Sequence, residues 1–152
     1  MFKKMRRTDK ALSKEDALAL LKRGREGVLG TVSDNHYPYT VVLHYVYYKE
    51  KIYFHCAKKG HKLDNINRNN KVSFTIYDRV EVVGEALNTK YESVTLFGKA
   101  KIMDGDHDIL TALINKYADI KPHQADKMIA KEKDITTVVE IDIEHMTGKA
   151  GK

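Results

Sequence analysis

The chain has 152 residues, of which 42% are hydrophobic and 32% are charged, and its formal net charge is +6. This length suits one domain with one sizeable core, so we expect a single domain over residues 1–152. No apolar run approaches the roughly 20 residues that span a bilayer, which argues against a helical membrane protein.

Two features predict a cytoplasmic protein. Residues 1–10 are basic but have no apolar segment behind them, so we expect them not to be a secretory signal. The one cysteine, Cys56, cannot form an internal disulfide, which is typical of a reducing compartment. We expect Cys56 to be a small buried residue rather than a nucleophile.

The first half of the chain predicts two helices separated by strands. Ser13 is a suitable N-cap for a helix over residues 13–24, and Gly24 is a natural stop. Three strands, rich in β-branched and aromatic residues, are predicted at 28–33, 39–48 and 52–56. The second helix begins at His61 and ends at Asn69.

The second half predicts three more strands and two helices. The strands are expected at 71–77, 93–103 and 135–143. The helices are expected at 106–117 and 122–131. Gly98 interrupts the second strand as a bulge or as a point of close backbone approach. Residues 78–92 have weak periodicity and residues 144–152 follow the last strand, so we expect both stretches to lie outside regular structure.

These elements predict a mainly β fold with peripheral helices. About six strands are joined mostly by short turns, which favours antiparallel pairing. A sheet of this size closes into a small antiparallel β-barrel because closure removes exposed strand edges.

The stretch from Ile52 to Arg68 predicts a site for an anion. It reads as strand, basic turn and helix, and Lys58, Lys59 and Lys62 surround the predicted helix start at His61. The first N–H groups of a helix have no partner within the helix, and the helix dipole is positive at this end. This chemistry suits a phosphate monoester, and the alternative is a solvated basic loop.

Nucleic-acid and metal binding are not predicted. The basic residues are spread along the chain, and helix-turn-helix, zinc-finger and RNP-type patterns are absent from the sequence. Four histidines fall in the central region, namely His36, His44, His55 and His61. They form neither HxH nor HExxH, so we expect no metal site.

Four segments resemble the flavin-binding split-barrel proteins related to pyridoxamine 5′-phosphate oxidase, and are most similar to the nitroimidazole-resistance proteins within that group. The segments are residues 27–48, 51–76, 91–102 and 141–150. Two motifs carry most of the likeness, YFHxAxxGHK at 53–62 and YESVxxxGKA at 91–100. The resemblance implies an antiparallel split β-barrel that forms a homodimer, with two FMN molecules at the subunit interface.

The resemblance also implies which residues contact FMN. Those beside the isoalloxazine ring would be Val41, Val42, Leu43 and His44. Those at the ribityl phosphate end would be His55, Cys56, Ala57, Gly60, His61, Lys62 and Asn65. Those contributed by the partner subunit would be Glu92, Ser93, Thr147, Gly148 and Lys149. His61 is the candidate catalytic residue, through a hydrogen bond or proton transfer, and the alternative is that it only caps the helix or binds phosphate.

The implied function is an FMN-dependent oxidoreductase that passes electrons to a small acceptor such as a nitroaromatic. NAD(P)H, if it is the donor, would bind transiently, since the chain has no dinucleotide motif of its own. The alternative is a non-catalytic barrel that holds FMN or haem. Val42 and His44 depart from the family pattern, which commonly has proline and asparagine there, so no particular substrate is carried over.

Overall fold

The computed structural model describes residues 1–151. The helices are α1 (Lys14–Arg23), α2 (His61–Arg68), α3 (His107–Tyr117) and α4 (Pro122–Glu132). The strands are β1 (Gly27–Val32), β2 (Pro38–Leu43), β3 (Val46–Tyr48), β4 (Lys51–Ala57), β5 (Lys71–Val83), β6 (Asn88–Asp104) and β7 (Thr136–Gly151). Short 3-10 turns span Thr8–Lys10 and Gly84–Ala86.

The described strands form one antiparallel sheet in the order β2-β1-β5-β6-β7-β4-β3. Its two edge strands are consecutive in the chain, because only His44 and Tyr45 separate β2 from β3. Laid flat, seven strands would hold their edges roughly 29 Å apart at about 4.8 Å per spacing. The three residue steps from Leu43 to Val46 reach about 11 Å at most. The sheet must therefore curl, which confirms the predicted mainly β, barrel-like fold with peripheral helices.

The prediction of one continuous strand over residues 39–48 was wrong, since the strand breaks at His44 and Tyr45. The Tyr45 N–H donates to the Tyr117 hydroxyl oxygen at 3.1 Å, and the Tyr45 carbonyl accepts from Lys116 Nζ at 3.0 Å. Side chains of α3 thus satisfy the main chain where the sheet ladder stops. The Tyr45 ring is fully buried and its hydroxyl donates to the Leu21 carbonyl at 2.6 Å.

The prediction of an irregular stretch at 78–92 was also wrong. β5 and β6 continue through it as a long hairpin, with a register shift between Asp78 and Glu81. The valines here are exposed, Val80 by 54% and Val82 by 74%. Because neither face of this hairpin is buried within the chain, its apolar periodicity is weak and is limited to Val80 and Val82 on either side of Glu81.

The prediction that the last strand ends at Ile143 was wrong as well. β7 runs to Gly151, paired with β6 from Tyr91 onward, so the segment 144–151 belongs to the sheet. Gly148 is buried and its carbonyl accepts from the Leu12 N–H at 2.9 Å. Lys152 lies outside the described residues. The sheet therefore has seven described strands rather than about six.

Other local predictions are confirmed. Ser13 accepts a hydrogen bond from the Asp16 N–H at 3.1 Å, and Asp106 accepts one from the Ile109 N–H at 3.0 Å, so both act as N-caps. The register of β6 and β7 shifts at Gly98, where a Cβ atom would overlap the Asp142 carbonyl oxygen. Gly98 is thus both a bulge and a point of close approach.

The core has two parts, separated by the wall of the barrel. Inside it, Ile52 and Phe54 of β4 pack with residues of the other strands and of α1 and α2. On the opposite face of β4, Tyr53 packs under α3 and α4, with Leu113 and Ile129. Within residues 1–151, no helix has the length and apolarity needed to cross a membrane.

Candidate functional site

The basic turn, residues 58–62, joins the end of β4 to the start of α2 as predicted. Gly60 is the N-cap residue, and no side chain of residues 1–151 caps the helix there. The first N–H groups of α2 therefore remain available to an anion. Lys58 and Lys59 are exposed, whereas Lys62 is half-buried. Burial raises the pKa of the Cys56 thiol at the end of β4, and the positive charge of Lys62 acts in the opposite direction.

His61 connects the basic turn to the first hairpin of the barrel. Its Nε2 atom lies 3.0 Å from the Ser33 hydroxyl oxygen, just after β1. Its ring lies 4.0 Å from the Tyr39 ring, measured between centroids, with a tilt of 34°. The start of α2 is therefore held against both strands of the β1–β2 hairpin.

Asn65 lies one turn further along α2 and is fully buried. Its amide nitrogen donates to Thr31 at 2.9 Å and to Ser33 at 3.2 Å, and its amide oxygen accepts from Arg68 at 2.8 Å. These bonds fix the helix to β1. A direct contact between Asn65 and a cofactor stays a prediction.

The predicted ring-contacting residues lie on β2 and just after it. Val41 and Leu43 are half-buried against the barrel core, whereas the Val42 side chain is 65% exposed on the outer face. β2 is an edge strand that pairs only with β1 in the described sheet. Its free edge presents unpaired N–H and C=O groups, which suit the polar rim of a planar ligand.

His44 and His55 both line a cavity that the sequence did not predict. The cavity has a volume of about 300 Å³ and lies between these two histidines and the helices α3 and α4. Apolar side chains line most of it, including Leu110, Leu113 and Ile129. We call it the α3–α4 cavity. In the sequence, Leu110 and Leu113 lie on one apolar face of α3, which is equally typical of a helix that only packs on a core.

The polar lining of the α3–α4 cavity is limited. The His44 ring lies 4.7 Å from the Tyr117 ring between centroids. Partial burial lowers the pKa of His55, Glu132 opposes this shift, and His44 adds to it. The lowered pKa favours the neutral ring of His55, which can donate or accept one hydrogen bond beside the cavity.

The residues predicted to come from a partner subunit lie on the α1 side of the barrel. Ser93 of β6 pairs with Lys149 of β7, and Thr147 lies two positions before Lys149 on β7. Gly148 lies against Leu12 and Ala17. The role of these residues toward a cofactor stays a prediction.

Glu92 is the most strongly paired of this group. Its carboxylate lies 2.5 Å from Arg23 and 3.3 Å from Arg79. Lys149 lies over the Tyr91 ring, 5.8 Å from the centroid. Among residues 1–151, no group of three or more His, Cys, Asp or Glu side chains is arranged to hold a metal ion.

Comparison with known proteins decides the family. A family model described as pyridoxamine 5′-phosphate oxidase matches residues 13–150, which is most of the chain. The chain belongs to the pyridoxamine 5′-phosphate oxidase family. This membership confirms the resemblance seen in the two sequence motifs. No curated protein matches the sequence.

Solved structures support the same fold for this family member. A conserved hypothetical protein from Mycobacterium tuberculosis superposes with a TM-score of 0.83 at 18% identity, covering 97% of this chain and 90% of the other. A proposed 5-nitroimidazole antibiotic resistance protein from Bacteroides thetaiotaomicron gives 0.75 at 20% identity, covering 93% and 86%. An FAD and haem binding protein from Mycobacterium smegmatis gives 0.72 at 18% identity, covering 92% and 72%. At these identities the likeness concerns the fold alone.

Proposed function

We propose that this protein binds FMN and acts as an oxidoreductase that passes electrons to a small acceptor such as a nitroaromatic. The observation that carries the proposal is the uncapped N-terminus of α2, with Lys62 beside it and the His61 ring packed on Tyr39 of the edge strand β2. Family membership supports the same conclusion, because the fold is shared with proteins whose names state that they bind flavins.

The residues present fit FMN at its phosphate end. The basic turn offers main-chain N–H donors and three lysine ammonium groups, and it contains no carboxylate. A phosphate monoester carries the charge and the acceptor oxygens that this donor set requires. Lys62 is the best placed of the lysines, since it is the second residue of α2 and is half-buried.

The residues also fit the isoalloxazine ring. The exposed Val42 side chain provides an apolar surface, and the unpaired main chain of β2 provides donors and acceptors at its edge. When bound, FMN supplies the two-electron chemistry, and the protein supplies binding and orientation. Residues 41–44 would orient the ring, while the basic turn would hold the phosphate.

The α3–α4 cavity supports the proposal that the electron acceptor is a small molecule. It lies beside His44 and His55, the two site residues at the ends of β2 and β4, and its volume suits a small planar molecule rather than a dinucleotide. A neutral His55 would offer one hydrogen bond to a polar group on that acceptor. NAD(P)H as the donor would then approach the exposed face of the flavin transiently.

We propose further that the protein is a homodimer and that Glu92, Ser93, Thr147, Gly148 and Lys149 approach the flavin of the partner subunit. The β5–β6 hairpin supports a dimer, since Val80 and Val82 are exposed on it. Exposed apolar side chains on a projecting element are typical of an interaction surface.

A second candidate is a barrel that holds FMN or haem without turnover. The two histidines beside the α3–α4 cavity favour it, because imidazole is an ordinary haem ligand. The absorbance spectrum of the purified protein distinguishes flavin from haem. Chromatography of the released cofactor then distinguishes FMN from FAD.

Turnover is tested by NAD(P)H consumption with and without a nitroaromatic acceptor. We expect FMN-dependent consumption that increases when the nitroaromatic is added. A colourless protein that fails to bind added FMN would reject the proposal. A yellow protein without acceptor-dependent consumption would support the non-catalytic alternative.

A further inference from the structure

We propose that Arg68, Asn65 and Ser33 form a hydrogen-bond relay that places the proton of neutral His61 on Nδ1. The three residues act as positioning residues for the basic turn. The proposal rests on the proposed function, because it concerns how His61 is presented to a bound phosphate group.

The relay begins with the orientation of the Asn65 amide. Arg68 Nη2 lies 2.8 Å from Asn65 Oδ1. A guanidinium group has donors and no acceptor, so the amide atom that faces it must be the oxygen. Arg68 is itself held near Asp34, with 3.8 Å between Nη1 and Oδ2. The amide nitrogen of this fully buried side chain is therefore directed toward β1.

The orientation of Asn65 makes Ser33 an acceptor. Asn65 Nδ2 has two hydrogens, which it donates to Thr31 Oγ1 at 2.9 Å and to Ser33 Oγ at 3.2 Å. The main chain of Ser33 is fixed as well, since its N–H donates to Tyr37 and its carbonyl accepts from the His36 N–H, both at 3.0 Å. The Ser33 hydroxyl thus has a defined position and one donor already directed at it.

The single hydrogen of the Ser33 hydroxyl needs an acceptor, because this side chain is buried. Of its two hydrogen-bond partners in residues 1–151, Asn65 is a donor, which leaves His61 Nε2 at 3.0 Å. If Nε2 carried the ring proton, both partners would donate to Ser33 and the hydroxyl hydrogen would be unsatisfied. Nε2 is therefore the acceptor, and the proton of the neutral ring lies on Nδ1.

This tautomer matters for an anion at the start of α2. Nε2 is already bonded to Ser33, so Nδ1 is the ring nitrogen left for a ligand at the start of α2. With its proton, Nδ1 adds a donor to that group. Without it, a lone pair would face the phosphate oxygens and repel them.

The test is NMR on the full chain labelled with ¹⁵N in the histidine rings. Two-bond ¹H–¹⁵N correlation spectra at about pH 8, where an ordinary imidazole is neutral, report which ring nitrogen is protonated. The His61 signals are those missing from H61Q. We expect the Nδ1–H pattern in the ligand-free wild-type protein. S33A should revert to the Nε2–H pattern that free histidine favours, and the matched control S73A should keep the wild-type pattern.

A second variant tests the Asn65 amide donor, with which the relay begins. N65D keeps the shape of the side chain but replaces the donor with an acceptor, so the Ser33 hydroxyl would donate to it and Nε2 would become a donor. We expect the same reversal of the tautomer as in S33A. An Nε2–H pattern in the wild-type protein would overturn the proposal, and so would an unchanged pattern in S33A. If N65D does not fold, S33A alone decides.

Titration with FMN and riboflavin separates this inference from the proposed function. S33A should raise the dissociation constant for FMN about 3- to 10-fold and leave that for riboflavin unchanged, as expected for the loss of one hydrogen bond to phosphate. An Nδ1–H pattern without any flavin binding would reject the proposed function and keep the relay. Flavin binding by a protein with the Nε2–H pattern would reject the relay alone.

Discussion

The rings of His61 and Tyr39 pack against each other at 4.0 Å between centroids, so the first residue of α2 lies on the second residue of β2. This contact fixes the distance between the basic turn and the free edge of β2. A ligand with a phosphate at one end and a planar ring at the other must match that distance. This packing contact, together with the hydrogen bonds from α2 to Thr31 and Ser33, therefore positions the two ends of the proposed FMN site.

Lys62→Ala should weaken FMN binding more than riboflavin binding, because riboflavin lacks the phosphate that the Lys62 ammonium group would contact. A hydrogen bond to a charged group contributes about 1.5–3 kcal/mol, so we expect roughly a tenfold loss or more for FMN. Fluorescence titration with both ligands measures this. Lys127→Ala, an exposed lysine of α4, is the control. Equal weakening of both ligands would show that Lys62 does not bind the phosphate.

The FMN-loaded protein should be a homodimer in solution, since the predicted site needs residues from two chains. Light scattering should give twice the mass of one chain. Val82→Glu places a charge on the exposed β5–β6 hairpin and should shift the protein toward monomer. Ile135→Glu, at an exposed apolar residue before β7, should remain dimeric. A wild-type protein that is monomeric when loaded with FMN would exclude a two-chain site.

Gly98→Ala should destabilise the protein strongly, because a Cβ atom there overlaps the Asp142 carbonyl oxygen on the neighbouring strand. Overpacking of this kind costs about 1–3 kcal/mol or more. Gly84→Ala is a matched control, since a Cβ at that position meets nothing within 4 Å. Thermal unfolding followed by circular dichroism should show a clear drop in Tm for the first variant only. Similar Tm values for both variants would contradict the close approach at Gly98.

Truncation after Met146 should abolish the folded state. The segment from Thr147 to Gly151 pairs with β6 inside the sheet, and the buried Gly148 accepts a hydrogen bond from Leu12. Removing it would leave β6 main-chain groups unpaired. Lys149→Ala retains the main-chain pairing and should fold normally. Circular dichroism and gel filtration compare the two proteins, and a cooperative unfolding transition in the truncated protein would contradict this role of the strand.

His55 should make the protein less stable as the pH falls below about 6.5. Partial burial lowers its pKa in the folded state, so the unfolded chain binds the proton more readily. The free energy of unfolding therefore decreases on acidification from about pH 6.5 toward the folded pKa. His55→Gln should reduce this pH dependence, and an unchanged pH dependence in that variant would contradict the assignment to His55. The measurement is urea unfolding at a series of pH values.

The sequence alone determined the features whose signals are local. Ser13 and Asp106 mark their helices because a cap is formed with a residue only three positions away. The basic turn is equally local, since strand, glycine and helix start lie within ten residues. The alternation in residues 71–77 likewise reports burial on one face of a strand, which confirmed this part of β5.

The tertiary structure decided what depends on residues far apart in the chain. The strand break at Tyr45 follows from hydrogen bonds to α3, more than 70 positions away. The exposed β5–β6 hairpin carries no burial pattern, and β7 extends past Ile143 because β6 is there to pair with it. His61 meets Ser33 across 28 positions, and the α3–α4 cavity needs a helix to pack over β4. Contacts of this kind form only when the barrel closes. The residues next to each partner in the sequence therefore do not predict them.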